Sequence, residues 1–123
     1  LLDRGLDAAT HMILKGCSAG GLGTIIHADY VRQQVPASLD MVALVDAGIF
    51  LDSPTWKGAE GYPAYYKYVA SMQNVSALNE GCLSQYSGDQ HWRCFMAPYT
   101  LPHIKTPLFI VQALYDWWQG TFI

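Results

Sequence analysis

The chain has 123 residues, 51% hydrophobic, 14% charged and 13% aromatic, with a formal net charge of −3. That suits one modest globular domain with a substantial core and excludes an intrinsically disordered chain. There is no basic run to bind nucleic acid or an anionic membrane by bulk charge, and no apolar stretch reaches the roughly 18 residues of a membrane span.

Leu1 to Ala9 reads as the end of a helix, with Leu2, Leu6 and Ala9 on one face. His11-Met12-Ile13-Leu14 leads in as a buried strand centred on Met12 to Leu14, followed by Gly16-Cys17-Ser18-Ala19-Gly20. A helix from Gly21 to about Gln34 carries Leu22, Ile25, Ile26 and Tyr30 at helical spacing and is closed by Pro36. Met41 to Val45 is a continuous apolar run, the pattern of a central parallel strand buried on both faces, and Asp46-Ala47-Gly48 ends it. Residues 49–61 form a loop broken at Pro54 and Gly58. Tyr62 to Met72 is a second helix that tolerates Pro63 in its first turn, with Tyr62, Tyr65, Tyr66, Val69 and Met72 as an apolar stripe. Core packing explains that stripe, and a wall for an acyl chain or sugar ring is the functional alternative. Asn79 to Tyr99 reads as a loop, and Leu108 to Gln112 as another buried strand leading to Leu114-Tyr115-Asp116. Strands alternating with helices predict an α/β fold, a parallel sheet built from right-handed crossovers.

Gly16 to Gly20 spell G-x-S-x-G between a strand and a helix. On such a strained turn a serine projects its hydroxyl away from the backbone, while Gly16 and Gly20 let helix and strand pass closely. The plain alternative is a glycine-rich strand-to-helix turn. Read as a nucleophile, Ser18 needs a histidine to take its proton and a carboxylate to orient that histidine, in the order serine, acid, histidine. The main-chain N–H of Ala19 is the expected oxyanion donor. Asp46 and Asp116 both follow strands and have equal positional claims, with Asp52 in the loop behind them. His11 and His103 precede their strands, and His27 lies more than ~10 Å down the helix from Ser18 at ~1.5 Å per residue. His91 is the one local candidate, so the base is expected beyond Ile123. Cys17 suits buried packing better than reactivity. No metal is expected, because no C-x-x-C or H-x-x-x-H pair exists, and the chemistry needs no organic cofactor.

The chain starts without methionine and stops soon after a strand, so it reads as an internal piece of one incomplete domain. Cys82 and Cys94 bracket a polar stretch and suit a loop-closing disulfide, which belongs to an oxidising compartment. Asn74-Val75-Ser76 is an N-glycosylation sequon.

These motifs together are similar to those of the pectin acetylesterase and Notum family. Gly16-Cys17-Ser18-Ala19-Gly20-Gly21-Leu22 resembles its nucleophile motif. His27-Ala28-Asp29 resembles the plant-type His-Cys-Asp, with alanine in place of cysteine, and Asp46 to Asp52 resembles its Asp-Ala-Gly-Phe-Phe-Leu-Asp segment. The sequon, Cys82 and Cys94-Phe95 resemble its disulfide loop, and Tyr115-Asp116-Trp117-Trp118-Gln119 its Tyr-Asp-x-Trp-Gln strand end. The resemblance implies an α/β-hydrolase-like serine esterase, secreted or in the cell wall, with Ser18 as nucleophile, Asp116 as acid and the histidine later in the chain. It implies an acetylated polysaccharide such as pectin as substrate. Trp117 and Trp118 have two readings, lining the sugar site or packing in the core. A Notum-like fatty-acyl protein esterase and a non-catalytic glycan-binding relative are the alternatives. The Trp-Gln ending and the His-x-Asp helix favour the plant-type branch. The piece by itself is expected to be inactive, its histidine being absent.

Overall fold

Three parallel strands organise the chain. In the computed structural model, which describes residues 1–59 and 61–122, they are β1 (His11–Cys17), β2 (Asp40–Asp46) and β3 (Leu108–Val111), in the order β1-β2-β3. Glu60 of the expected 49–61 loop, Ile123 and the Tyr62 side chain of the expected stripe lie outside the described residues. β1 runs to Cys17, further than its apolar centre, because Lys15, Gly16 and Cys17 keep pairing with Leu44, Val45 and Asp46. Helices α1 (Ala19–Gln34), α2 (Gly61–Met72), α3 (Glu80–Gln85), α4 (Ala97–Thr100) and α5 (Trp117–Phe122) complete the architecture, a partial α/β-hydrolase-like fold.

The pleat divides the strands by face. Met41, Ala43 and Val45 of β2 turn inward and are buried, and Ile25 of α1 and Ala97 of α4 pack with Val45. The opposite face is open. Val42, expected to be buried, is exposed, as are Ile13, Phe109 and Val111, since α1 and α4 cover only the other side. Cys17 shares this open face and is exposed, contrary to its expected burial.

Leu1 to Ala9 is not a helix end but two 3-10 turns, Leu2–Arg4 and Leu6–Ala8, separated where Gly5 turns to φ 102°. The expected cysteine loop is mostly helical. It holds α3, a 3-10 helix at Gly88–Phe95 and α4, tied by the Cys82–Cys94 disulfide, both of whose cysteines are buried. Asn79 starts α3 by accepting the Cys82 N–H at 3.1 Å. The buried face of α2 is Tyr66 and Ala70, whereas Tyr65 and Met72 of the expected stripe are exposed. Tyr66 packs among Leu22, Phe50 and Met96.

α2 stops in a Schellman motif. Asn74 takes the left-handed conformation (φ 47°), its N–H bonds to Ser71 O, and the Val75 N–H bonds to Ala70 O at 2.9 Å.

Candidate active site

Ser18 stands at the β1–α1 junction with φ 55° and ψ −124°. A non-glycine residue at positive φ costs of order 1–3 kcal/mol, so the turn is held by its surroundings. Those are visible: the Ser18 N–H bonds to Asp46 O at 2.9 Å, and the Leu22 N–H bonds to Ser18 O at 3.1 Å. A serine before a helix ordinarily caps it with its side chain. Here the twisted backbone turns the side chain elsewhere: Ser18 makes no capping bond and is exposed. Among the described residues its hydroxyl has no hydrogen-bond partner, and it stands at the positive end of a 16-residue helix. Ala19 opens that helix, where no helical carbonyl precedes its N–H to accept it.

Close packing makes the bend. A Cβ on Gly16 would lie 2.0 Å from Gly20 O, and one on Gly48 2.7 Å from the Gly21 Cα. Gly20 has nothing within 4 Å of such a Cβ, so the close approach assigned to it from the motif belongs instead to Gly21 against the 46–48 turn.

Asp116 follows β3 and heads α5, its Oδ1 accepting the Gln119 N–H at 2.8 Å. It borders a cavity of about 570 Å³ whose lining includes Ile49, Tyr115, Trp117 and Gln119. Asp46 bonds to the elbow through its main chain, while its side chain projects with Cys17 on the open face. Asp52 accepts a hydrogen bond from the Tyr99 hydroxyl. Burial and that partnership push the Tyr99 phenol pKa above its usual value, against the pull of Arg93.

The four histidines fall in three places. His11 sits at the amino end of β1, beside Thr10. His27 and His103 line a separate cavity of about 730 Å³ with Asp29, Lys105 and Glu80. His91 contacts Gly88 O at 2.8 Å, inside its own 3-10 helix.

Asp29 is a fastener. It accepts bonds from the Lys105 and Thr106 N–H groups, the Thr106 hydroxyl and the Asn79 amide, and so joins α1 to the approach to β3 and the start of α3. Burial works to raise its carboxyl pKa, but these bonds outweigh it and hold the value below the usual one.

The family model described as Pectinacetylesterase matches residues 1–123. This chain belongs to the pectinacetylesterase family. Pectin acetylesterase 5 of Arabidopsis thaliana is 35% identical over 120 residues, covering 97% of this chain and 27% of that protein. Palmitoleoyl-protein carboxylesterase notum2 of Xenopus laevis is 35% identical over 127 residues, covering 94% of this chain and 26% of that protein. The human palmitoleoyl-protein carboxylesterase NOTUM is 29% identical over 126 residues, covering 94% of the chain and 25% of that protein. The chain therefore spans about a quarter of the length of these relatives. Identity does not separate the plant and Notum-type branches, standing at 35% to a member of each.

Two features of this pectinacetylesterase-family site were not anticipated from sequence. One is the Gly21–Gly48 contact. The other is a pair of glutamines, with Gln112 Oε1 accepting the Ile49 N–H at 3.1 Å and Gln119 Nε2 donating to Ile49 O at 3.0 Å. Glutamine beside a strand end carries no signal of its own, since its partner lies some 60–70 residues away.

Proposed function

We propose that the protein is a carboxylic ester hydrolase that removes acetyl groups from a cell-wall polysaccharide such as pectin, through a serine acyl-enzyme. The observation that carries this reading is Ser18, held at φ 55° before α1 with an exposed side chain that makes no capping bond.

In this reading Ser18 Oγ attacks the acetyl carbonyl and its proton passes to a histidine later in the chain. The carbonyl oxygen gains negative charge beside the Ala19 N–H and the α1 N-terminus. Collapse expels the sugar hydroxyl, protonated by the histidine, and leaves acetyl-Ser18. Water, giving a proton to the same histidine, then releases acetate and restores Ser18. Asp116 orients the histidine. It and Ser18 lie past the carboxyl ends of β3 and β1, strands separated by β2 and so two spacings or about 10 Å apart across the sheet. No metal or organic cofactor enters these steps. Residues 1–123 form one incomplete catalytic domain in this reading, inactive by itself. The buried Cys82–Cys94 disulfide and the exposed sequon at Asn74 support secretion.

The 35% identity to notum2 supports a second reading, a Notum-like fatty-acyl protein esterase. The test is turnover by the full-length protein on acetylated pectin, acetylated xylan and p-nitrophenyl esters of rising chain length. Acetyl release lost in Ser18→Ala and Asp116→Asn but kept in Asp46→Asn is the expected pattern. Preference for long acyl chains selects the second reading. Activity unchanged in Ser18→Ala refutes both, and no turnover on any ester by the wild type points to a glycan-binding relative.

A further inference from the structure

We infer that Gln119, supported by Gln112, is a positioning residue for Asp116, and that both act through the main chain of Ile49. The inference rests on the triad role proposed for Asp116.

Hydrogen bonds lace the three strand ends from Ser18 to Asp116. Ser18 N–H bonds to Asp46 O, and one residue on Ala47 N–H bonds to Val111 O at 2.8 Å. Two residues further, Ile49 is gripped on both main-chain groups, its N–H by Gln112 just past β3 and its carbonyl by Gln119 in α5. The Gln119 N–H closes the lacing on Asp116 Oδ1. Residues 46–49 thus form the spacer between nucleophile and acid, and among the described residues Gln119 is the one that holds both that spacer and the carboxylate.

The glutamine amides serve this grip and little else. Gln112 Nε2 and Gln119 Oε1 are buried with no partner among the described residues. An unpaired buried amide atom is unfavourable, and it is offset here by the bond each glutamine makes to a main-chain group of Ile49. What the amides add is the fixed placement of Ile49 relative to α5. The Gln119 N–H engages only Oδ1 of Asp116, which leaves Oδ2 to receive an imidazole N–H.

The experiment uses full-length enzyme with p-nitrophenyl acetate, comparing wild type, Gln119→Met, Gln112→Met and Asp116→Asn. Methionine keeps length and volume but cannot bond to Ile49. A carboxylate displaced by a fraction of an ångström should lower kcat about tenfold in Gln119→Met, with KM within about twofold. Weaker support of the imidazolium lowers the histidine pKa, so the acid limb of kcat/KM moves to lower pH. Gln112→Met should give about a threefold loss of the same kind, and it decides the matter if Gln119→Met does not fold. Unchanged kcat and pH profile per folded molecule, with only a lower urea midpoint, overturns the positioning role. If Asp116→Asn keeps full activity, the triad reading itself fails. If Asp116→Asn is dead while both methionine variants match wild type, the triad stands and this inference falls.

Discussion

The two glycines of the G-x-S-x-G motif should respond to alanine with opposite signs. A methyl at Gly16 would lie 2.0 Å from the Gly20 oxygen, 2.3 Å from its carbonyl carbon and 2.6 Å from Thr24 Oγ1. Two of those atoms are backbone and cannot rotate away. Thr24 Oγ1 is itself bonded to Gly20 O at 3.0 Å, so the first turn of α1 must move as a unit, by over an ångström. Overpacking of this kind costs about 3 kcal/mol, the upper part of the usual range, because the backbone has to give. With an m-value of about 1–3 kcal/mol per molar urea, the Gly16→Ala midpoint falls by about 1–3 M. Gly20 is helical, with open space where its Cβ would be. Alanine there gains about 0.5–1 kcal/mol, a rise of about 0.2–1 M. Urea unfolding followed by circular dichroism on the full-length protein measures both, and ester turnover should survive only in Gly20→Ala. A Gly16→Ala midpoint level with wild type, or Gly20→Ala as damaging as Gly16→Ala, would refute the packing argument for the elbow.

Three further outcomes are expected. Ala47 sits at φ 47°, so Ala47→Gly relieves left-handed strain and should raise stability by about 0.5–1 kcal/mol, seen as a higher Tm. Asp29 has its pKa lowered in the fold, so its contribution is present above the unfolded value of 3.8 and fades as pH falls through the lower folded value. Asp29→Asn should therefore be destabilised near neutrality by about 1–3 kcal/mol and show a flatter acid limb in unfolding midpoints against pH. Replacing Cys82 and Cys94 with serine opens a loop of 12-residue separation and should lower stability by about 3 kcal/mol, read as a urea midpoint.

The helix after the elbow was legible because burial imposes periodicity, Leu22 and Ile25 both being buried, and β2 was legible from its unbroken apolar run, although only Met41, Ala43 and Val45 turn inward and Val42 is exposed. What escaped depended on contacts distant in sequence. Asp29 gives no local hint that it will collect donors 76 and 77 positions away. The segment around Cys82 looked like a loop because its turns are short and polar, and a disulfide with an Asn79 cap organises them rather than an apolar stripe. The stripe on α2 was assigned to a face rotated from the true one, since aromatic residues all round that helix blur the period. The motif located Ser18, but its backbone angles and its uncapped hydroxyl are properties only three dimensions supply.

The Schellman turn after α2 bears on how any sugar at Asn74 must be studied. Asparagine is one of the few residues that accept the backbone twist found there, so Asn74→Gln would strip a glycan and unsettle the helix stop together. Ser76→Ala removes the acceptor sequence and leaves the twist alone, which makes it the substitution that separates loss of carbohydrate from loss of fold.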